Sequence, residues 1–131
     1  MPDIHVSAAV ITDRDGRALL VRKSGTERFM QPGGKPEAGE SAAQALVREL
    51  HEELGLVVGE DALRPLGTFV SAAANEPGHR VVATAFAMTA EPEDVQVQAE
   101  LAELRWLAPS ERGEVLLAPL SEEHLLPIAW G

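Results

Sequence analysis

The chain has no cysteine and no tyrosine among its 131 residues. Without cysteine it has no disulfide, no thiolate nucleophile and no thiolate metal ligand, which fits a reducing, cytoplasmic compartment. Aromatic rings are almost as scarce, with Phe29, Phe69, Phe86, Trp106 and Trp130 the whole supply, so flat apolar partners for a ligand are few. Positive charge is also short. Eleven basic residues stand against 21 acidic ones, a net charge of -10, which argues against a surface that tracks DNA, RNA or an anionic membrane. Small anions remain acceptable partners if metal ions screen them. No apolar run approaches the roughly 18 residues of a membrane span, and Asp3 and His5 interrupt the first apolar stretch, unlike a signal peptide.

What is present is ordinary in bulk. Apolar residues make up 45% and charged residues 24%, the balance of a globular protein, and the length suits one domain over residues 1–131. Ile4 to Thr12 alternates, with Ile4, Val6, Ala8 and Val10 on one side, and reads as a strand. Asp13-Arg14-Asp15-Gly16 supplies turn chemistry, and Arg17 to Arg22 returns as a second strand. Phe29-Met30-Gln31 is a short extended piece leading into Pro32, Gly33 and Gly34, where paired glycines let the backbone pass something closely. Further on, Leu63 to Ala73 and Arg80 to Thr89 read as strands joined by a turn at Asn75-Glu76-Pro77-Gly78. Glu91 to Glu103 reads as a loop and Leu104 to Leu107 as a last short strand. Pro119-Leu120-Ser121 introduces a C-terminal helix with Ser121 as its cap. The sum is a mixed sheet with helices.

The stretch between these strands carries the chemistry. Ser41 and Gln44 have the spacing of a capping box, and Ala43, Leu46, Val47, Leu50 and Leu54 recur at helical spacing up to Gly55, a left-handed stop. The opposite face holds Gln44, Arg48, Glu49, Glu52 and Glu53. Glu49 neighbours both Glu52 and Glu53, so three like charges crowd the negative end of the helix. A solvated charged face is the competing reading. The position, directly after a glycine-rich loop, favours instead a hard cation such as Mg²⁺ or Mn²⁺ held by carboxylate oxygens.

Gly34, five residues, Glu40, seven residues, then Arg48-Glu49-Leu50-His51-Glu52-Glu53-Leu54-Gly55-Leu56 resembles the Nudix box at every specified position. The resemblance implies an α/β/α sandwich around a central mixed sheet, and metal-dependent hydrolysis of a nucleoside diphosphate linked to another group. It implies Glu49, Glu52 and Glu53 as metal ligands, with Glu52 or Glu53 also orienting or deprotonating the attacking water. Arg48 would hold the carboxylates, Glu40 would support the loop or the metal shell through water, and Gly33 and Gly34 would permit the turn before the helix. A further acid often lies outside the box in this family; Glu100 is preferred here and Glu103 is the runner-up. Crowded glutamates without metal repel, so activity should need both metal and alkaline pH.

Substrate choice lies outside the box. No proline stands at Ser71 or Ala72, where ADP-ribose members often carry one, and no tyrosine matches the dinucleoside polyphosphate members. Phe29 to Lys35 looks most like the compact enzymes that cleave nucleoside triphosphates, standard or oxidised, to monophosphate and pyrophosphate. ADP-ribose, nucleotide sugars and dinucleoside polyphosphates are the alternatives, and a non-catalytic nucleotide sensor is the competing class. The isomerase branch would need a cysteine that the chain lacks. Lys35 is a candidate phosphate contact, Phe29 and Phe69 are candidate stacking partners, although core packing competes for both, and His79 is a loop residue within possible reach of substrate. The expected partner is a small nucleotide, with no nucleic-acid polymer and no membrane, and a homodimer is an open assembly.

Overall fold

Strand β1, Asp3–Thr12, runs through the middle of the molecule. A computed structural model describes residues 3–74 and 76–131. Strand β1 alternates at its start and is buried on both faces from Ser7 to Ile11, as a central strand must be. The turn after it is closed by Asp13, whose carboxylate accepts from the Asp15 and Arg17 amides and from the Arg17 guanidinium. Burial raises the Asp13 pKa, but these Arg17 and Asp15 bonds outweigh it and leave the group below its ordinary value. Strand β2, Ala18–Lys23, then returns antiparallel, but pairs with β1 only at Thr12 and Ala18.

The two strands part because another segment enters between them. Met30 pairs with Val21 on β2, the Ala9 amide donates to the Pro32 carbonyl, and Gly33–Gly34 form strand β3 antiparallel to Ser7 and Ala8. The glycines are therefore a strand and not the expected turn. Only they fit: a Cβ on Gly33 would stand 2.0 Å from the Ser7 carbonyl oxygen at a φ of +149°, a conformation that side chains avoid.

Helix α1, Ala42–Leu54, has the boundaries its capping residues dictate. Ser41 Oγ accepts from the Gln44 amide while Gln44 Oε1 accepts from the Ser41 amide, and Gly55 stops the helix at φ +67°. Its stripe of Leu46, Leu50 and Leu54 packs on Ala9, Ile11, Leu19 and Val21 from one face of the sheet. One expectation fails here. Glu53 was placed opposite the stripe, yet it is only 6% exposed and belongs to the buried side. Three and seven residues beyond Leu50 and Leu46, it lies on the edge of their row.

Strands β4, Arg64–Ala72, and β5, Arg80–Thr89, form an antiparallel hairpin. Asn75, part of the turn read from the sequence, lies outside the described residues. Strand β5 lies parallel to β1 along its whole length, Asp3 against Arg80 and Thr12 against Thr89. Strand β6, Leu101–Leu107, pairs antiparallel with β2. It begins earlier than expected, since Leu101 to Glu103 were read as loop; the bulge between Arg22 and Lys23 extends the pairing. The order β4-β5-β1-β2-β6 mixes parallel and antiparallel neighbours, in accord with the mixed sheet read from the sequence.

The second face is closed by the C-terminal segment, a π-helical turn Ser121–Leu125 followed by α2, Leu126–Trp130. Leu125 and Leu126 pack on Ala8, Val10, Ala18 and Leu20, so helices flank both faces. Ser121 is not the cap it was expected to be. The chain is already helical at Leu120 and no side chain caps the turn; the buried Ser121 hydroxyl donates instead to Gln31 Oε1. No helix among the described residues is long and apolar enough to cross a membrane.

Candidate active site

Where β1 and β2 part, a cleft of about 680 Å³ opens. One wall is the last two turns of α1, which bring Arg48, Glu49, Glu52 and Glu53 to it, and Glu100 joins them from the loop before β6. That loop is tied to the helix end. The Gln98 amide donates to the Glu53 carbonyl at 2.9 Å and the Gln96 amide to the Leu54 carbonyl at 3.0 Å, satisfying carbonyls that a helix end leaves free. Ala99 takes φ +52° directly after them, an uncommon conformation for alanine, and Glu100 follows it into the cleft.

Arg48 organises the acids. Its Nε and Nη2 form a fork on Glu40 at 2.8 and 2.9 Å, Nη1 donates to Glu49 at 2.8 Å and reaches Glu52 at 3.5 Å, and Nη2 also meets the Lys35 carbonyl at 3.2 Å. The fork pulls the Glu40 carboxyl down to about 2, and Glu40 in turn raises the Arg48 pKa. Glu49 is raised by burial; Arg48 opposes the shift and the charge of Glu52 adds to it. Gly34 makes room for this carboxylate, because a Cβ there would stand 1.9 Å from Glu49 Oε2.

Glu53 is the most constrained of the acids. Among the described residues its carboxylate accepts one bond, from the Gly33 amide at 3.3 Å, and burial pushes its pKa up to about 7, with the charges of Glu49 and Glu100 adding to the shift. Lys23 counters it. A buried carboxylate with a single long hydrogen bond and two acidic neighbours is poorly satisfied by protein alone. Among the described residues no three acids or imidazoles form a ready-made metal cage. The donor set nevertheless suits a hard divalent cation, because Glu49, Glu52, Glu53 and Glu100 offer only carboxylate oxygen to one cleft.

The second wall carries little charge. Ile4, Val6 and Ala8 lie on the β1 face that meets the C-terminal segment, with Val81 in register beside Ile4, and Ala118 and Leu120 approach from that segment.

The sequence pattern that defines the NUDIX domain matches residues 1–130. The chain belongs to the Nudix family. The solved Nudix neighbours share its fold: the Escherichia coli ORF135 protein is 33% identical, with a TM-score of 0.69 over 97% of this chain and 88% of that one. The MutT protein of Methanosarcina mazei Go1, 24% identical, reaches a TM-score of 0.74 over 98% of this chain and 93% of that one. Among curated relatives, the CTP pyrophosphohydrolase of Escherichia coli is 48% identical over 68 residues, 46% of this chain. The 8-oxo-dGTP diphosphatase of Haemophilus influenzae is 43% identical over 58 residues, 41% of this chain. The matched stretch spans less than half of each curated relative, 48% and 43% respectively.

Within this Nudix domain the structure gathers Glu49, Glu52, Glu53, Glu100, Arg48, Gly33, Gly34 and Lys35 around one cleft, and Glu40 is joined to it through Arg48. Glu103 stands apart, paired with Arg22 at 3.0 Å. Three candidate substrate contacts do not reach the cleft. Phe29 is buried with Leu20, Leu107, Leu117 and Leu126, Phe69 packs beside Leu66 and Leu120 with its ring 5.7 Å from that of His124, and His79 is bound to its own turn through Pro77. Apolar packing claims the two rings, which is the usual fate of a scarce aromatic. Lys23 and Gln31 line the Nudix cleft and were missed by sequence reasoning. Gln31 did leave a signal, a neutral polar residue inside an apolar extended run; Ala99 left none.

Proposed function

We propose that this chain is a Nudix pyrophosphohydrolase that converts a nucleoside triphosphate, standard or oxidised, to the monophosphate and pyrophosphate with Mg²⁺ or Mn²⁺. The observation that carries the reading is the buried, under-bonded Glu53 sharing a cleft with Glu49, Glu52 and Glu100. The relatives named for 8-oxo-dGTP and CTP support a triphosphate, and a relative named for ADP-ribose keeps that diphosphate as the alternative. A domain spanning residues 1–131 in the cytoplasm belongs to the same reading.

Glu49, Glu52, Glu53 and Glu100 would hold the metal. When bound, it supplies charge neutralisation at the phosphate oxygens and a more acidic water. The chain's own groups do the rest. Arg48 orients Glu49 and restrains Glu52 through one guanidinium, while Glu40 fixes that guanidinium from behind. Lys23 and Lys35 line the cleft as phosphate contacts. Water attacks one phosphorus, its oxygen forms the new P–O bond, and the bond to the leaving pyrophosphate breaks. The water's proton passes to a glutamate. Glu52 or Glu53, both facing the cleft, would take it.

The test is incubation with nucleoside triphosphates, oxidised triphosphates, ADP-ribose and dinucleoside polyphosphates, with Mg²⁺ or Mn²⁺, scoring monophosphate and pyrophosphate. Both products should form from a triphosphate and neither without metal. Tight binding across the panel with no turnover of any member would replace the enzyme by a sensor.

A further inference from the structure

Gln31 is a buried polar side chain, 7% exposed, that the hydrolytic chemistry does not use. Its backbone is held on both sides, since Met30 exchanges hydrogen bonds with Val21 and the Pro32 carbonyl accepts from Ala9. Pro32 also confines Gln31 to extended geometry. The amide group is anchored at one end. Ser121, fully buried at the start of the C-terminal π-helical turn, donates its hydroxyl to Gln31 Oε1. In this arrangement the hydroxyl spends its donor on Oε1, which leaves Nε2 as the end of the amide that Ser121 does not hold. Among the described residues no acceptor meets Gln31 Nε2, and Gln31 lines the cleft.

The surroundings define what this donor can meet. Gln31 stands two residues before Gly33, whose amide touches Glu53, so it is close to the acidic wall yet belongs to the other one. On that wall Ala8, Ala118 and Leu120 are its weakly polar company, continuing along β1 to Val6 and Ile4. By strand rise, Ile4 lies about 10 Å from Ser7. That is room for a planar heterocycle beside a phosphate chain.

We propose that Gln31, oriented by Ser121, is a specificity-determining residue that donates from Nε2 to a ring carbonyl of the nucleotide base. With one face of Oε1 committed to Ser121, Gln31 is a poor partner for adenine, which pairs an acceptor with an amino donor and is read by an amide using both of its ends. Bases with a carbonyl at the contacted edge, guanine or a pyrimidine, meet the free donor directly. This inference rests on the nucleotide reading of the cleft but not on hydrolysis.

The experiment measures binding first, so that it stands even if the hydrolase reading fails. Calorimetric affinities of AMP, GMP, CMP, UMP and base-free ribose 5-phosphate are compared, with Mg²⁺, in the wild type, Gln31→Met and Ser121→Ala. The wild type should bind a carbonyl base about tenfold more tightly than AMP and than ribose 5-phosphate. Gln31→Met should abolish that preference and leave ribose 5-phosphate within twofold, and Ser121→Ala should narrow it by freeing the amide. In turnover, the loss should fall on KM and not on kcat. A wild type without base preference, or a Gln31→Met that weakens ribose 5-phosphate as much as the nucleotides, would overturn the assignment. Gln31→Asn, which keeps the amide but shortens its reach, guards against a folding defect: recovery of stability without recovery of preference supports a positional role, and full preference in it overturns one.

Discussion

Glu53 carries two demands at once, because burial favours its neutral form while the proposed chemistry needs its charge. In the metal-free protein a carboxyl raised from 4.5 to about 7 binds its proton more tightly folded than unfolded. Between those values the folded state holds the extra proton, so stability falls as pH rises and the loss is complete above about 7. Glu49, also raised, acts in the same direction. At ~1.4 kcal/mol for each tenfold change, Glu53 alone accounts for about 3 kcal/mol. Denaturant unfolding in chelator should therefore show the wild type losing about 2 to 3 kcal/mol between pH 5 and pH 8, and Glu53→Gln losing less than about 1 kcal/mol. The same variant should lose catalysis by about 10²- to 10⁴-fold without losing its fold. A flat wild-type profile would mean that the carboxyl is not desolvated, and unchanged rates in the variant would sink its place in the mechanism.

Strand β3 and helix α1 show what the sequence makes legible. The helix is written in local chemistry, with Ser41 and Gln44 at its start, Gly55 at its end and leucines between, so its bounds are readable residue by residue, and so are its acids except for the burial of Glu53. The glycines are readable only as a demand for close approach. That they are a strand wedged into the sheet follows from Ser7 and Ala8, distant in sequence, and no local rule supplies it. The two glycines then separate fold from function. Gly33 faces rigid backbone, whereas Gly34 faces the movable end of the Glu49 side chain. Gly33→Ala should destabilise by about 3 kcal/mol or more, combining a clash with a forbidden φ. Gly34→Ala should cost less than about 1.5 kcal/mol and yet weaken metal-dependent activity by at least about tenfold, since Glu49 must leave its place between Gly34 and Arg48. Thermal unfolding beside steady-state rates separates the two, and equal destabilisation by both would show that β3 tolerates no side chain at either position.

At the scale of the whole molecule the two walls of the cleft differ in how they are assembled. The acidic wall is one helix, which a motif can describe, plus Glu100, while the other joins β1 to β5 by parallel pairing and to the C-terminal segment by apolar packing, across most of the chain. Phe29, Phe69 and His79 lie away from the cleft lining for that reason: what surrounds a side chain is decided by elements far away in sequence. The same asymmetry puts Glu49, Glu52, Glu53 and Glu100 on one wall, where the charges of Glu49 and Glu100 act against that of Glu53. A divalent cation held by these carboxylates would bind the folded state alone, because the unfolded chain separates Glu100 from the helix. Linkage then sets the size of the effect, about 2.7 kcal/mol of added stability at a metal concentration one hundred times Kd. Thermal melts at pH 8 and constant ionic strength should rise with Mg²⁺ but not with the matching sodium salt. The double variant Glu49→Gln with Glu53→Gln, relieved of the repulsion, should start more stable than wild-type protein without metal and gain almost nothing from Mg²⁺. An equal gain in that variant would reduce the metal effect to screening of the overall negative charge, and the acidic wall would no longer count as a metal site.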